Sequence, residues 1–178
     1  FFPNMEKTAA LFERITTNGP YGDVAPSAQL RIGAAQEKRK EFGLAVAAYD
    51  LALDRYHDRP VIAADAMFRK GWCHYKEAQA ADYDQSAASS ALETFNDFVA
   101  VYPDDRRVPQ AQKIMNALKA DRARASYQIA QYYEKRGKWN GALIYYNEAT
   151  LNDPASKYAA EARARIEQIQ QRQKTAEK

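Results

Sequence analysis

The sequence has few of the residues that support a disulfide framework, a metal site or a membrane span. Its 178 residues include one cysteine, Cys73, so no internal disulfide can form. There are two histidines, and neither stands at the spacing of a zinc site. No apolar run approaches the roughly 20 residues that a spanning helix needs. Glycine and proline number only seven each, whereas alanine is abundant, so the composition favours helices.

Motifs that carry chemistry are also absent from the sequence. It contains no glycine-rich phosphate loop, no HExxH and no GxSxG. Cys73 and His74 are adjacent, and on a helix adjacent side chains point about 100° apart, so they do not chelate a metal as i,i+4 residues can. The sequence has neither zinc-finger spacing nor an RNP-like strand, so no motif indicates nucleic-acid binding. We therefore predict a protein that is not an enzyme and that uses no cofactor, metal or nucleic acid.

Charge is distributed unevenly along the chain. Residues 1–105 hold 11 Lys and Arg against 16 Asp and Glu, whereas residues 106–178 hold 15 against 7. One interpretation is a set of solvated helix faces. The other is a basic C-terminal half that attracts an acidic partner or lies near anionic lipid headgroups.

Three segments share one spacing of small residues and rings. In the clearest, Ala130 is followed twelve residues later by Ala142 and four further on by Tyr146. This is the tetratricopeptide pattern of about 34 residues, in which small residues let two antiparallel helices approach and a ring fills the space beside them. The other copies are irregular and consist of Gly33, Ala45 and Tyr49, then Gly71, Ala91 and Phe95.

The pattern predicts an all-α tetratricopeptide-type solenoid forming a single domain, with three full repeats and a half repeat at each end. Asp82, Asp84 and Ser86 suggest a loop inserted in the second full repeat, capping the next helix. A stretch whose only proline, Pro109, lies in the first turn and which has no glycine predicts one continuous helix over Val108–Arg136. The predicted segments are a half repeat at 4–20, a repeat at 26–60, a repeat at 61–104 with the insertion at 80–90, a repeat at 108–154 with its first helix extended, a terminal helix at 156–171 and a frayed tail at 172–178.

In this repeat class the first helices form the concave surface, so we predict a protein-binding site there. Phe68, Trp72 and Tyr75 follow i, i+4, i+7 spacing and make one stripe. The stripe is either a core face or a groove of aromatic anchors for a peptide, and the spacing alone allows both. The candidate site residues are Arg31, Lys38, Phe68, Arg69, Trp72, Tyr75, Lys76, Tyr127 and Gln131.

Several of these irregularities resemble the BamD family of tetratricopeptide lipoproteins of the outer-membrane protein assembly machinery. The resemblance is carried by Ala91–Phe95, by Phe98 to Asp105 with its Tyr-Pro-Asp-Asp run, by the long helix, and by Ser126–Trp139 with its Tyr-Tyr and Arg-Gly-Lys-Trp. It covers roughly residues 8–166.

The resemblance implies a periplasmic, outer-membrane-associated scaffold without catalytic activity. Its N-terminal repeats would recognise outer-membrane client segments, and its C-terminal repeats would dock on the core assembly subunit. It also implies a lipid-bearing cysteine upstream, so we expect any targeting signal to precede Phe1. The opening repeat lacks its first helix and the last has one helix only, which departs from the family pattern.

Other functions remain open on the sequence alone. One alternative is another periplasmic repeat adaptor for envelope biogenesis. The other is a regulatory or accessory domain of an enzyme. A clamp for a C-terminal carboxylate is disfavoured, because Leu30 and Ala34 occupy places where that site needs Lys and Asn.

The spacing argument gives a first prediction. If Ala142 meets Ala130 at a close helix contact, Ala142→Leu should overpack it and lower the free energy of unfolding by roughly 1–3 kcal/mol. Thermal or denaturant unfolding measures this directly, and an unchanged midpoint would show that the contact is misassigned.

Overall fold

The fold is described from a computed structural model that covers residues 4–80 and 85–176. Within these residues the chain forms eight helices and no strand. The helices are α1 Met5–Asn18, α2 Ala25–Lys38, α3 Phe42–Tyr56, α4 Pro60–Ala80, α5 Gln85–Val101, α6 Val108–Lys135, α7 Trp139–Asn152 and α8 Lys157–Ala176.

The helices have the order of a tetratricopeptide-like repeat fold, which confirms the predicted all-α class. We name α2, α4, α6 and α8 the A helices and the others the B helices. The chain divides into two compact units, unit 1 over Phe1–Met115 and unit 2 over Asn116–Lys178.

Local sequence explains where α1 begins and how the chain turns after α2 and α6. Asn4 caps α1, because its side-chain oxygen accepts from the backbone N–H groups of Glu6 and Lys7. The turns that follow α2 and α6 each contain a residue with positive φ, Lys40 at 63° and Gly137 at 69°. Gly137 adopts this left-handed conformation at little cost, whereas Lys40 must bear it with a side chain.

The long helix after the Tyr-Pro turn is confirmed as continuous. It spans Val108–Lys135 in 28 residues, about 42 Å at 1.5 Å per residue. The absence of proline and glycine after its first turn allows this length, since nothing in that stretch removes a backbone hydrogen bond.

Two other predicted features differ from the structure. The inserted loop was expected at 80–90, but α5 begins at Gln85, so Ser86 lies within that helix. Asp82 and Asp84 lie outside the described residues. The tail predicted to fray from residue 172 is helical as far as Ala176, because residues beyond Gln171 continue α8 with good helix formers.

The core of unit 1 is built on contacts between a glycine of one helix and a ring of the next. Gly33 faces the ring of Tyr49, and a Cβ atom added to Gly71 would lie 2.9 Å from Cε1 of Phe95. Tyr49 and Phe95 are fully buried. In unit 2, Ala130, Ala142 and Tyr146 are fully buried in one cluster, as the repeat pattern predicted.

These contacts give a prediction with a matched control. Gly33→Ala places a methyl group inside the ring of Tyr49 and should lower the free energy of unfolding by about 1–3 kcal/mol. Gly43→Ala, also in a helix, meets only Oε1 of Glu77 at 3.6 Å and should stabilise by a few tenths to about 1 kcal/mol. Urea unfolding of both variants measures the difference, and equal effects would contradict the close contact.

Candidate protein-binding site

The A helices α2 and α4 border a small polar cleft in unit 1. The cleft has a volume of about 250 Å³, and Arg31, Ala34, Asp65 and Arg69 are among its lining residues. Arg31 is exposed and pairs with no carboxylate in the part of the chain that the structure describes. It is therefore a cation that can meet an acidic ligand without losing an existing partner.

Arg69, in contrast, is already held by carboxylates. Its Nε atom lies 3.2 Å from Oδ2 of Asp65, and its Nη1 atom lies 3.4 Å from Oε1 of Glu37. Asp65 also binds Arg107, whose Nη1 atom lies 2.6 Å from Oδ1. Arg107 in turn binds Asp105, and this hydrogen bond lowers the pKa of Asp105 to about 2. Positive and negative groups thus alternate from α2 to the loop before α6.

Glu37 connects this network to the core. The buried Tyr49 donates its phenolic hydrogen to Glu37. Burial and the adjacent carboxylate raise the pKa of Tyr49, so the phenol remains a hydrogen-bond donor at neutral pH. A ring from α3, a carboxylate from α2 and a guanidinium from α4 are thereby joined.

Unit 2 contains the same arrangement. Tyr146 OH lies 2.6 Å from Oε2 of Glu134, to which it donates, and Arg165 of α8 binds the same carboxylate. The tyrosine follows the glutamate by twelve residues in both units. We call this arrangement the Tyr–Glu–Arg bridge: Tyr49, Glu37 and Arg69 in unit 1, and Tyr146, Glu134 and Arg165 in unit 2.

The repeat of α4 and α5 does not have the bridge. Tyr75 stands four residues after Gly71, where Glu37 follows Gly33, and Phe95 stands where the other repeats have tyrosine. Two aromatic side chains therefore replace the hydrogen-bonded acid and phenol.

Two of the predicted site residues belong to the core. Phe68 is 9% exposed and packs edge-on against Phe95 and Phe98, with ring centroids 5.7 and 5.4 Å apart. Tyr127 is 8% exposed and packs on Tyr146. Burial supports the core alternative for Phe68, whereas Tyr127, although largely buried, also lines a cleft in unit 2.

The rest of the aromatic stripe is half-buried and forms a cluster. The rings of Trp72 and Tyr75 lie 5.6 Å apart, and Lys76 Nζ lies 4.8 Å from the centroid of the Trp72 ring. Gln79 donates to the Tyr75 hydroxyl at 2.7 Å. The stripe thus changes along α4 from core at Phe68 to partly open surface at Trp72.

The remaining predicted residues lie apart from this cluster. Lys38 is exposed at the end of α2. Gln131 lies in unit 2, in a cleft of about 530 Å³ that also contains Lys135 and Trp139. Within unit 1 the structure brings Arg31 and Arg69 to one cleft and Trp72, Tyr75 and Lys76 to one cluster, whereas Tyr127 and Gln131 belong to unit 2. Their role in binding stays a prediction.

The list of candidate site residues left out the carboxylates, although the repeat pattern places Glu37 and Glu134 at inward-facing positions of the A helices. Glu37 and Glu134 each stand four residues after the small residue of an A helix and twelve before the buried tyrosine, a repeated signal that was available. The contacts of Arg69 with Glu37, of Arg107 with Asp65 and of Arg165 with Glu134 gave no such signal, because these partners lie 31 or more residues apart in the sequence.

The residues that the structure describes contain neither an accessible thiol nor a metal-binding group. Cys73 is fully buried, and burial raises the pKa of its thiol, which keeps it unreactive. Over residues 4–80 and 85–176, no group of three or more His, Cys, Asp or Glu side chains is placed to hold a metal ion. In the same residues no helix has the length and hydropathy to cross a membrane.

The Tyr–Glu–Arg bridge in unit 2 can be tested by mutation and pH. Burial raises the pKa of Glu134, but hydrogen bonds from Tyr146 and Arg165 outweigh it and leave the pKa below its usual value. Because the pKa of Glu134 is lower in the folded state than in the unfolded state, where it is about 4.3, the ionised carboxylate stabilises the fold at pH values above about 4.3. This stability is lost as the pH falls through the folded-state pKa. Tyr146→Phe should therefore cost about 1–2 kcal/mol at pH 7, and less below about pH 4.

Tyr132→Phe is the control for this variant, because Tyr132 is 53% exposed. Its stability should stay within about 0.5 kcal/mol of the unmodified protein. Urea unfolding at several pH values gives both numbers, and a pH-independent difference for Tyr146→Phe would contradict the bridge.

Comparison with known proteins agrees with this arrangement of helices and with the resemblance in sequence. Residues 3–172 match the model of the YfiO family, described as outer membrane lipoprotein. Two similar relatives are both named outer membrane protein assembly factor BamD. The Helicobacter pylori protein is 24% identical over 144 residues, covering 81% of this chain and 65% of the relative. The Caulobacter vibrioides protein is 21% identical over 163 residues, covering 92% of this chain and 53% of the relative.

The chain thus spans between half and two thirds of the length of these relatives. The family match extends over nearly the whole sequence, and the chain belongs to the YfiO family of outer membrane lipoproteins, which includes BamD-like assembly factors.

Proposed function

We propose that this protein is a non-catalytic binding scaffold in outer-membrane protein assembly. It works in the periplasm beside the outer membrane, held there by a lipid anchor upstream of these residues. Family membership and two relatives named as assembly factors support this function. The scaffold binds segments of outer-membrane clients and docks on the core assembly subunit.

Client segments bind to the exposed face of α4 and the adjacent cleft. The observation that carries this proposal is the half-buried pair of Trp72 and Tyr75 with Lys76 over the indole ring. Arg69, Trp72 and Lys76 recur at helical spacing along one face of α4. A face that offers aromatic surface beside cations suits an extended peptide with apolar side chains and an acidic or C-terminal carboxylate.

Arg31 supplies the charge that this peptide meets. Arg69 is neutralised by Asp65 and Glu37, whereas Arg31 opens on the same cleft and pairs with no carboxylate among the described residues. The client's negative group therefore pairs with Arg31, and Arg69 keeps the cleft walls in place. Binding consequently weakens as salt screens this exposed charge.

Docking on the core subunit uses unit 2. Residues 116–178, which form unit 2, hold 12 Lys and Arg against 7 Asp and Glu, and this surplus supports an acidic partner surface. This part of the proposal rests on the family and on charge.

Trp72→Ala tests the client site. Its affinity for a synthetic C-terminal peptide of an outer-membrane protein should fall by about 2 kcal/mol, while the melting temperature changes little because the ring is only half-buried. Isothermal titration and thermal unfolding on the same sample measure both quantities.

Phe68→Ala is the matched control, one helical turn away on α4. Its ring is in the core, so it should lose about 3–5 kcal/mol of stability and keep full affinity in the folded fraction. If Trp72→Ala instead lost stability and kept its affinity, the face would be structural and the client site would be rejected.

A further inference from the structure

Unit 2 contains a second cleft whose chemistry neither the family nor the client site assigns. It has a volume of about 530 Å³ and lies between α6 and α8, beside the start of α7. Gln131, Glu134, Lys135, Trp139, Arg165 and Arg172 are among its lining residues. Trp139 is half-buried, so part of its ring faces the cleft.

The cleft has a surplus of positive charge. Glu134 is neutralised by Arg165 and also accepts from Tyr146, so its charge is already compensated. Lys135 and Arg172 are exposed and pair with no carboxylate among the residues that the structure describes. Two cations thus remain for a ligand, and the Tyr–Glu–Arg bridge of unit 2 lines the same cleft.

The polar surface continues beyond this cleft along α8. Arg165, Gln168, Arg172 and Thr175 recur at i, i+3, i+7 and i+10, a strip of about 15 Å. A second cavity of about 600 Å³ lies against this end of α8, and Arg172 lines both cavities. We call the two cavities together the α8 track.

Amide side chains give the α8 track the groups that a peptide backbone needs. Gln131 lies in the first cavity, and Gln168 and Gln171 lie in the second. The amide oxygen of Gln168 already accepts from Nη1 of Arg165 at 2.7 Å, but it has a second lone pair and the amide keeps its N–H donors. The glutamines therefore still provide donors and acceptors that match the alternating N–H and C=O groups of an extended chain. Trp139 adds an apolar surface for a neighbouring side chain.

We propose that the α8 track binds an extended protein segment in which acidic residues flank an apolar or aromatic residue. The acidic side chains pair with Arg172 and Lys135, the apolar side chain packs on Trp139, and the glutamines bind the backbone. This deepens the proposed docking function, on which it rests, by giving the chemistry of the segment that unit 2 takes.

A lipid headgroup fits the α8 track less well than a peptide. The large exposed apolar side chains of unit 2 are Tyr132, Ile144 and Leu151, and none of them lines the track to reach a membrane interior.

Fluorescence of Trp139 tests the proposal in the full chain. The sequence has two tryptophans, so Trp72→Phe leaves Trp139 as the sole indole reporter. The probe is a synthetic acidic peptide, acetyl-Gly-Asp-Glu-Phe-Asp-Glu-Gly-amide, and its counterpart carries Lys at each acidic position. We expect saturable quenching or a spectral shift with the acidic peptide and none with the basic one.

Two charge reversals on α8 provide the decisive comparison. Arg172→Glu should weaken the acidic peptide by about tenfold or more. Arg163→Glu changes the same charge on the same helix nine residues away, which is about 180° around the axis, and it should weaken binding by about twofold or less. Equal losses in the two variants would show a nonspecific charge effect and overturn the site.

Two further outcomes would also overturn it. One is the absence of saturation by the acidic peptide up to about 1 mM, the limit of weak specific binding. The other is a Trp139 response to vesicles containing phosphatidylglycerol without any response to the peptide. Client binding is followed separately through Trp72 in the Trp139→Phe chain, so failure of the α8 track is distinguishable from failure of the client site.

Discussion

A large ring on a B helix can lie flat against its A helix only where that helix has almost no side chain. Gly33 and Gly71 satisfy this condition for Tyr49 and Phe95, and Ala130 belongs to the same buried cluster as Tyr146. The close approach buries the ring completely and fixes the distance between the helices. The orientation of each A helix, and hence of every side chain on its other face, depends on this contact.

The phenolic oxygen extends that constraint from packing to charge. A buried tyrosine must place its hydroxyl on a partner, and in two repeats the partner is a glutamate on the A helix. The glutamate then needs a cation, which the following A helix supplies. One ring position therefore determines which arginines of the A helices are held in ion pairs.

Most of the fold could be predicted from the sequence, because steric rules with short spacing determine it. Small residues, rings and prolines at tetratricopeptide intervals predicted the helices, including the continuous α6. The end of α8 and the start of α5 were less predictable, since helix boundaries there depend on packing and not on a breaking residue.

The candidate site was less accessible to sequence reasoning. Helical spacing placed Phe68, Trp72 and Tyr75 on one stripe but could not show that the first is covered by α5 and the others are partly open. It also placed Arg69 among the candidate ligand-binding residues without showing that Asp65 and Glu37 hold it. Such pairings between distant segments follow from the three-dimensional arrangement, and one sequence does not contain them in any local pattern.

The lone cysteine acquires a meaning from its position in the core. A free thiol in the oxidising surroundings of the proposed location tends to form mixed disulfides between molecules. Cys73 is fully enclosed in the cluster that contains Tyr49 and Ala66, so oxidants reach it only when unit 1 opens. The rate at which Cys73 is modified therefore reports how often unit 1 opens, and the folded state protects the thiol from oxidation.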